Sequence, residues 1–282
     1  LNRRAYKIAL MQNADIYHFH DPEFLPWAKK LRYKKQTKVV YDIHEDYPAE
    51  ILTKHWIPKY FRLIVAWAFN KLEKIISKEL NFLITVSPKI ETIFRKHEIK
   101  NITVVTNYPI MQYFPQQNSL KKDMINNCVN LIYVGGLTLV RGIKEIVQNL
   151  EYLSYDNVKL ILIGNFVEKG FKSELEILPG WGKVEYKGWM VQQEAYLEMQ
   201  EADIGLLCLL PTPNHIYSVP NKLFEYMAAG IPVIASYFDY FKEVITQNKC
   251  GICVNPEDPK DIAKAIDYLI NHPREAKIMG KN

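Results

Sequence analysis

Lys222 and Glu225 stand three residues apart in YSVPNKLFEYMAAGIPVIAS, the stretch from Tyr217 to Ser236, and on a helix that spacing puts both on one face. Pro220 fits the first turn of such a helix, where a missing N–H costs nothing, and Ser218 is a candidate cap just upstream. Ala228, Ala229 and Gly230 make a small-residue end with glycine at the C-cap. Ile231 to Ala235 then reads as a parallel strand buried on both faces. A cation and a carboxylate near the positive end of a helix dipole suit a ligand that is anionic at one end and hydroxylated at the other. A nucleotide sugar has both properties. The structural alternative is a surface ion pair worth only ~0.5 kcal/mol.

A second constellation is GGLTLVRG, directly after the apolar run VNLIYV. Paired glycines at a strand end let phosphates approach backbone N–H groups, and Arg141, six residues beyond Gly135, adds a fixed cation. The alternative for Gly135 and Gly136 is a tight turn alone. Neither the G-x-G-x-x-G fingerprint nor a G-K-[ST] loop is present. In the first half, His44 closes KVVYDIHE, at the strand edge where parallel sheets bind ligands. A histidine there can donate a hydrogen bond to a bound ligand. Asp21, in the preceding strand-end loop, and Glu45 are further polar candidates at strand ends; Ser87 and Asn107 read as loop and cap residues.

The elements that must position these residues alternate. Ala14–His20, Lys38–Ile43, Phe82–Val86 and Ile102–Thr106 read as strands in the first half, with helices at Leu1–Gln12, Pro26–Tyr33, Tyr60–Leu80 and Ser87–His97. The polar, irregular stretch from Ile110 to Asn127 reads as a linker. Beyond it, strands are expected at Val129–Val134, Val158–Ile163, Val184–Lys187 and Ile204–Leu210. Helices are expected over Gly142–Leu150, Val191–Glu201, Tyr240–Gln247 and Pro259–Asn271. This alternation predicts an α/β protein of two domains with parallel sheets, residues 1–113 and 128–282, joined by 114–127.

Composition is that of an ordinary globular chain, 48% hydrophobic and 24% charged over 282 residues, which excludes disordered and collagen-like classes. No apolar run approaches the ~20 residues of a membrane span. Residues 1–118 carry 19 Lys/Arg against 11 Asp/Glu, net +8; the remainder carries 17 against 20, net −3. A basic first half suits a phosphorylated substrate or an anionic membrane surface, and no nucleic-acid motif accompanies it. Tyr60–Leu80 reads as a core-facing amphipathic helix with a solvated basic face, or as a membrane-surface helix helped by Trp56 and Trp67. Four scattered cysteines point to a reducing cytoplasm, and CGIC at 250–253 reads as strand packing, with no metal site expected.

YVGGLTLVRG, TNYP and PNKLFEYMAAGIPVIAS together resemble the family 4 glycosyltransferases of the GT-B fold, over nearly the whole chain. The resemblance implies two Rossmann-like domains facing across a cleft. It also implies sugar transfer with retention, without metal or cofactor, from a nucleoside-diphosphate sugar. Arg141 matches the lysine of the family's K-G, while Gly136 stands where its first arginine usually sits. Glu225 matches the second glutamate of E-x7-E, the ribose partner, and Tyr217 stands in place of the first. S-x-P-x-K ahead of F-E-Y-M resembles a branch with a lysine at Lys222, which would supply the missing cation. His44 matches the histidine beside the donor sugar and phosphate. Gly135, Gly136, Arg141 and Lys222 are thus expected to bind phosphate, and His44 and Glu225 to act in catalysis. Asp21, Glu45, Tyr217 and Ser218 are expected to meet acceptor or donor sugar.

The expected setting is bacterial surface polysaccharide synthesis, with a glycan or lipid-linked acceptor, in the cytoplasm at the inner face of the membrane. A non-catalytic nucleotide-sugar-binding or scaffold protein, or a GT-B sugar-nucleotide epimerase or hydrolase, is the alternative. Compared with the family, the chain is expected to be a fragment, lacking the first strand-helix units and the final crossing helix, and weakly active or inactive as such.

Overall fold

The computed structural model describes residues 2–54, 56–114 and 128–282. The expected linker, Phe114 apart, lies outside them. Contacts divide the chain into two units, Leu1–Asn107 with Tyr217–Val219, and Tyr108–Ile216 with Pro220–Asn282.

The first unit runs α1 (Asn2–Met11), β1 (Ile16–Phe19), α2 (Leu25–Lys35), β2 (Lys38–Ile43), α3 (Tyr47–Ile51), α4 (Lys59–Ser77), β3 (Phe82–Thr85), α5 (Pro88–Arg95) and β4 (Ile102–Val104). Its four strands pair in parallel in the order β1-β2-β3-β4. Val39, Tyr41, Ile43 and Leu83 of the sheet pack with Leu25, Ala28, Ile76, Ile90 and Phe94 of the helices. Ser87 caps α5, its hydroxyl accepting from the Lys89 N–H. The five-residue α3 is too short to show a helical period in the sequence.

α4 departs from the expected solvated basic face. It buries Ala66, Glu73, Ile76 and Ser77, whereas Tyr60, Leu63, Ile64 and Trp67 are exposed. Apolar residues at i, i+3, i+4 and i+7 on its first two turns therefore face away from the core of this unit. Among the described residues, no helix is long and apolar enough to cross a membrane.

The second unit runs β5 (Val129–Val134), α6 (Ile143–Gln148), β6 (Val158–Ile163), α7 (Phe171–Glu176), β7 (Val184–Gly188), α8 (Gln192–Glu201), β8 (Ile204–Leu207), α9 (Asn221–Ala228), β9 (Val233–Ser236), α10 (Asp239–Asn248), β10 (Gly251–Val254), α11 (Pro259–Asn271) and α12 (Pro273–Lys281). All six strands are parallel, in the order β10-β9-β8-β5-β6-β7. Alternate residues serve opposite layers. Leu131 and Tyr133 of β5 pack against α6, α7 and α11, while Ile132 and Val134 pack against α8, α9 and α10. This two-sided burial explains why these strands read as unbroken apolar runs. β8 stops at Leu207 and not Leu210, because the Leu210 N–H leaves the sheet for the Val140 carbonyl.

Glu73 is an anomaly in the first unit, a carboxyl only 3% exposed, with Tyr41 donating to its Oε1 at 2.9 Å. Burial pushes its pKa from 4.5 to about 7. An acid raised in the folded state costs nothing while protonated in both states, and stability falls as pH rises from about 4.5 through 7. The full effect is of order 3 kcal/mol. Glu73→Gln keeps an acceptor for Tyr41, so it should be more stable than wild type at pH 8 and nearly equal at pH 4.5. Urea unfolding at both pH values measures this; a constant difference between the two proteins would contradict it.

Candidate functional site

The strand order of the second unit has one reversal. From β5 the chain builds outward through β6 and β7, then returns to lay β8 on the other side of β5. The gap outside the carboxyl ends of β5 and β8 is therefore a topological switch point, the place where open α/β sheets bind ligands. Gly135 follows β5 there and α9 follows β8.

Gly135 has φ +147°, and a Cβ on it would lie 3.0 Å from the Arg141 guanidinium and 3.2 Å from the Tyr133 hydroxyl. The Gly135 N–H is taken by the Ile163 carbonyl at 2.9 Å. Among the described residues the Gly136 N–H meets no acceptor, so a donor and a guanidinium lie side by side at the strand end. The Arg141–Gly142 pair has its own logic: Gly142 has φ +71°, and a Cβ there would sit 1.9 Å from the Cys208 carbonyl oxygen. Only glycine lets the turn carrying Arg141 pass over the end of β8.

α9 is seated by Tyr226. The Val134 N–H donates to the Tyr226 hydroxyl at 3.1 Å, and that hydroxyl lies 3.4 Å from the carbonyls of both Ile132 and Leu206. It thus bridges β5 and β8, whose own pairing covers only Leu131↔Ile204 and Ile132↔Gly205. The ring covers Gly205, where a Cβ would come within 2.6 Å of it.

With α9 so fixed, Glu225 is 6% exposed. One of its oxygens pairs with the Lys222 ammonium, and the other lies 3.4 Å from the Tyr196 hydroxyl. Burial and then the Glu225 charge push Tyr196 up to about 12, so it stays a neutral donor. Lys222 and Glu225 do share a face, as their spacing requires, but the carboxylate is inside the protein. The caps differ from expectation. Pro220 is itself the N-cap, with extended backbone at φ −78° and ψ 125°, and no side chain caps the helix; Ser218 is not its cap. Tyr108 of the TNYP stretch packs edge-on against Phe224 of α9, with ring centroids 4.7 Å apart.

Sequence reading missed two residues here. His215, in the loop between β8 and α9, has its Nδ1 3.1 Å from the Leu210 carbonyl, and burial, with help from the Arg141 charge, lowers its pKa. Tyr196 sits on α8, far from Glu225 in sequence, and only the fold brings them together.

In the first unit His44 follows β2, as expected, but not alone. His18-x-His20 ends β1 and Asp42-x-His44 ends β2, and strand periodicity turns each pair to one face. Asp42 Oδ2 lies 3.2 Å from His18 Nε2, 3.3 Å from His20 Nδ1 and 3.5 Å from His44 Nε2. His20 Nδ1 and His44 Nε2 are 3.0 Å apart. The paired H-x-H and D-x-H spacings were the overlooked signal. Among the described residues, His18, His20 and Asp42 group as potential metal ligands, with ligand atoms within 4.8 Å of one another. Asp21 and Glu45 line a cavity of about 360 Å³ with His20, His44, Glu23 and Lys54. Tyr217 and Ser218 group with this unit, and the Lys89 ammonium lies over the Tyr217 ring. All four cysteines are free thiols; Cys253 lies on β10, and burial pushes it up to about 11, as strand packing predicts.

Tyr226→Phe leaves the buried Val134 N–H without its acceptor, which costs about 1–3 kcal/mol. Gly205→Ala drives a methyl into the ring and should cost at least as much. Chemical denaturation of both variants tests the seating of α9; wild-type stability in both would refute it.

Residues 118–282 match the family model described as glycosyl transferases group 1, and residues 1–108 match that of glycosyltransferase family 4. An uncharacterized 41.2 kDa protein in the cps region of Klebsiella pneumoniae is 26% identical over 281 residues, covering 93% of this chain and 72% of that protein. The uncharacterized glycosyltransferase MJ1607 of Methanocaldococcus jannaschii is 27% identical over 143 residues, 50% of this chain and 35% of that one. Among solved structures, Anabaena Alr3699/HepE in complex with UDP-glucose superposes with a TM-score of 0.74 at 17% identity, over 100% of this chain and 75% of that one. This last likeness is one of fold, GT-B. Matched by the first model over more than half its length, the chain belongs to the group 1 glycosyl transferases.

Proposed function

We propose that this glycosyltransferase moves a sugar from a nucleoside-diphosphate sugar to a glycan or lipid-linked acceptor, with retention of anomeric configuration. The observation that carries this reading is the switch-point constellation: the Gly136 N–H, the Arg141 guanidinium, the buried Glu225 and its half-buried partner Lys222 belong to the carboxyl edge of one sheet. A diphosphate is met there by a backbone donor and two cations, and a ribose hydroxyl by a carboxylate. As the glycosidic bond breaks, negative charge grows on the bridging phosphate oxygen, and cations already in place favour that state over the ground state.

His44, at the end of β2, is assigned a donor role toward the sugar or the leaving phosphate, as the family resemblance implies. The transfer itself uses no metal or other cofactor. Uracil is the first base to test, because HepE is seen with UDP-glucose. A role in surface polysaccharide synthesis is supported by the relative from a cps region. The net charge of +8 in residues 1–118 and the exposed apolar residues of α4 support peripheral contact with an anionic membrane at its cytoplasmic face.

Calorimetric titration of the chain with a panel of UDP-, GDP- and ADP-sugars tests the reading. One nucleotide sugar should bind, and Arg141→Ala or Glu225→Ala should weaken it about tenfold or more, the worth of a charged hydrogen bond. If no nucleotide sugar binds, the function falls. If Glu225→Ala binds as wild type does, the site assignment falls. Binding with no transfer to any glycan or lipid-linked acceptor would favour the nucleotide-sugar-binding alternative.

A further inference from the structure

The cluster at the ends of β1 and β2 is poorly explained by hydrogen bonds alone. Three imidazole nitrogens crowd one carboxylate oxygen, Asp42 Oδ2, at 3.2, 3.3 and 3.5 Å, although an sp² oxygen offers two in-plane lone pairs. The other oxygen, Oδ1, is buried and has no hydrogen-bond partner among the described residues. His20 Nδ1 faces both Asp42 Oδ2 and His44 Nε2, and a single N–H cannot satisfy both.

The same distances suit a metal ion. Zinc binds imidazole nitrogen and carboxylate oxygen at about 2.0–2.2 Å, so the edge of its tetrahedron is about 3.3–3.5 Å. His20 Nδ1, His44 Nε2 and Asp42 Oδ2 form a triangle with edges of 3.0, 3.3 and 3.5 Å, close to one face of that tetrahedron. His18 Nε2, 3.2 Å from the same carboxylate oxygen and with its ligand atom within 4.8 Å of that of His20, is positioned as an alternative or additional ligand. The His18 side chain is 44% exposed, His20 56% and His44 43%, while Asp42 is 13% exposed, so an ion has an open path to an anchored carboxylate.

The geometry points to a binding site for one divalent transition-metal ion of the zinc type, held by His20, His44 and Asp42 with His18 beside them. Imidazoles with one carboxylate select zinc, cobalt or nickel over magnesium and calcium, which prefer all-oxygen shells. Bound there, the ion ties up the His44 side chain that the proposed sugar transfer would use, so loading the site should inhibit turnover. This consequence rests on the transferase reading; the binding does not.

The test uses the full chain without an affinity tag, stripped with a chelator and titrated calorimetrically with Zn²⁺ and, separately, Mg²⁺. One equivalent of zinc should bind and magnesium should not, and Co²⁺ loading should give visible absorption. His20→Ala and Asp42→Asn should each weaken zinc binding about tenfold or more. His20 lies in an exposed position, so its variant separates loss of a ligand from loss of fold, checked by an unchanged melting temperature in chelator. Absence of stoichiometric zinc binding, or binding indifferent to His20→Ala, overturns the proposal. A UDP-sugar titration of the same stripped protein reports on the donor site separately, so that failure of one reading cannot pass for failure of the other.

Discussion

One tyrosine hydroxyl holds the two strand ends of the second unit's switch point, Val134 of β5 and Leu206 of β8. Parallel strands β5 and β8 pair for only two residue positions, and beyond them the Tyr226 hydroxyl takes the Val134 N–H and lies within reach of a carbonyl on each strand. A ladder continued to the strand ends would leave no crevice and no seat for α9. The substitution of a side-chain hydroxyl for backbone pairing satisfies buried groups that would otherwise be costly, and it requires glycine at 205. Glu225 adjoins Tyr226, and its burial follows from that seat.

The two candidate regions solve opposite electrostatic problems. In the second unit a buried carboxylate is kept company by Lys222 and Tyr196, and removing Lys222 would leave an unpaired charge in a low-dielectric setting. In the first unit the ends of β1 and β2 gather three imidazoles around a carboxylate with one oxygen unpartnered. Glu73, behind the same sheet, meets burial differently, by holding its proton toward neutral pH.

Much of the architecture was legible because its cause is local. Strands buried on both faces appear as unbroken apolar runs, and VNLIYV and VKLILI could hardly be anything else in a chain that alternates them with amphipathic segments. Gly135, Gly142 and Gly230 mark positive φ, which other residues avoid. Lys222 and Glu225 were paired by helical spacing. Less was legible at the edges of elements: α3 and α7 are five and six residues long, too short to establish a period, and Pro220 proved a cap and not a first-turn residue.

Sequence alone thus determined the strand-helix alternation, the glycine turn with its arginine, and the helix bearing a cation and a carboxylate, since each depends on neighbours within a few residues. The tertiary structure decided what those residues face. Strand order put Gly135 and α9 at one switch point. Packing of α9 on Gly205 buried Glu225 beside Tyr196, 29 residues away. Parallel pairing of β1 with β2 set His18 and His20 against Asp42 and His44, 24 residues apart. Such contacts are invisible to periodicity because the chain between them is free to vary; only the closing of the sheet brings their atoms within reach.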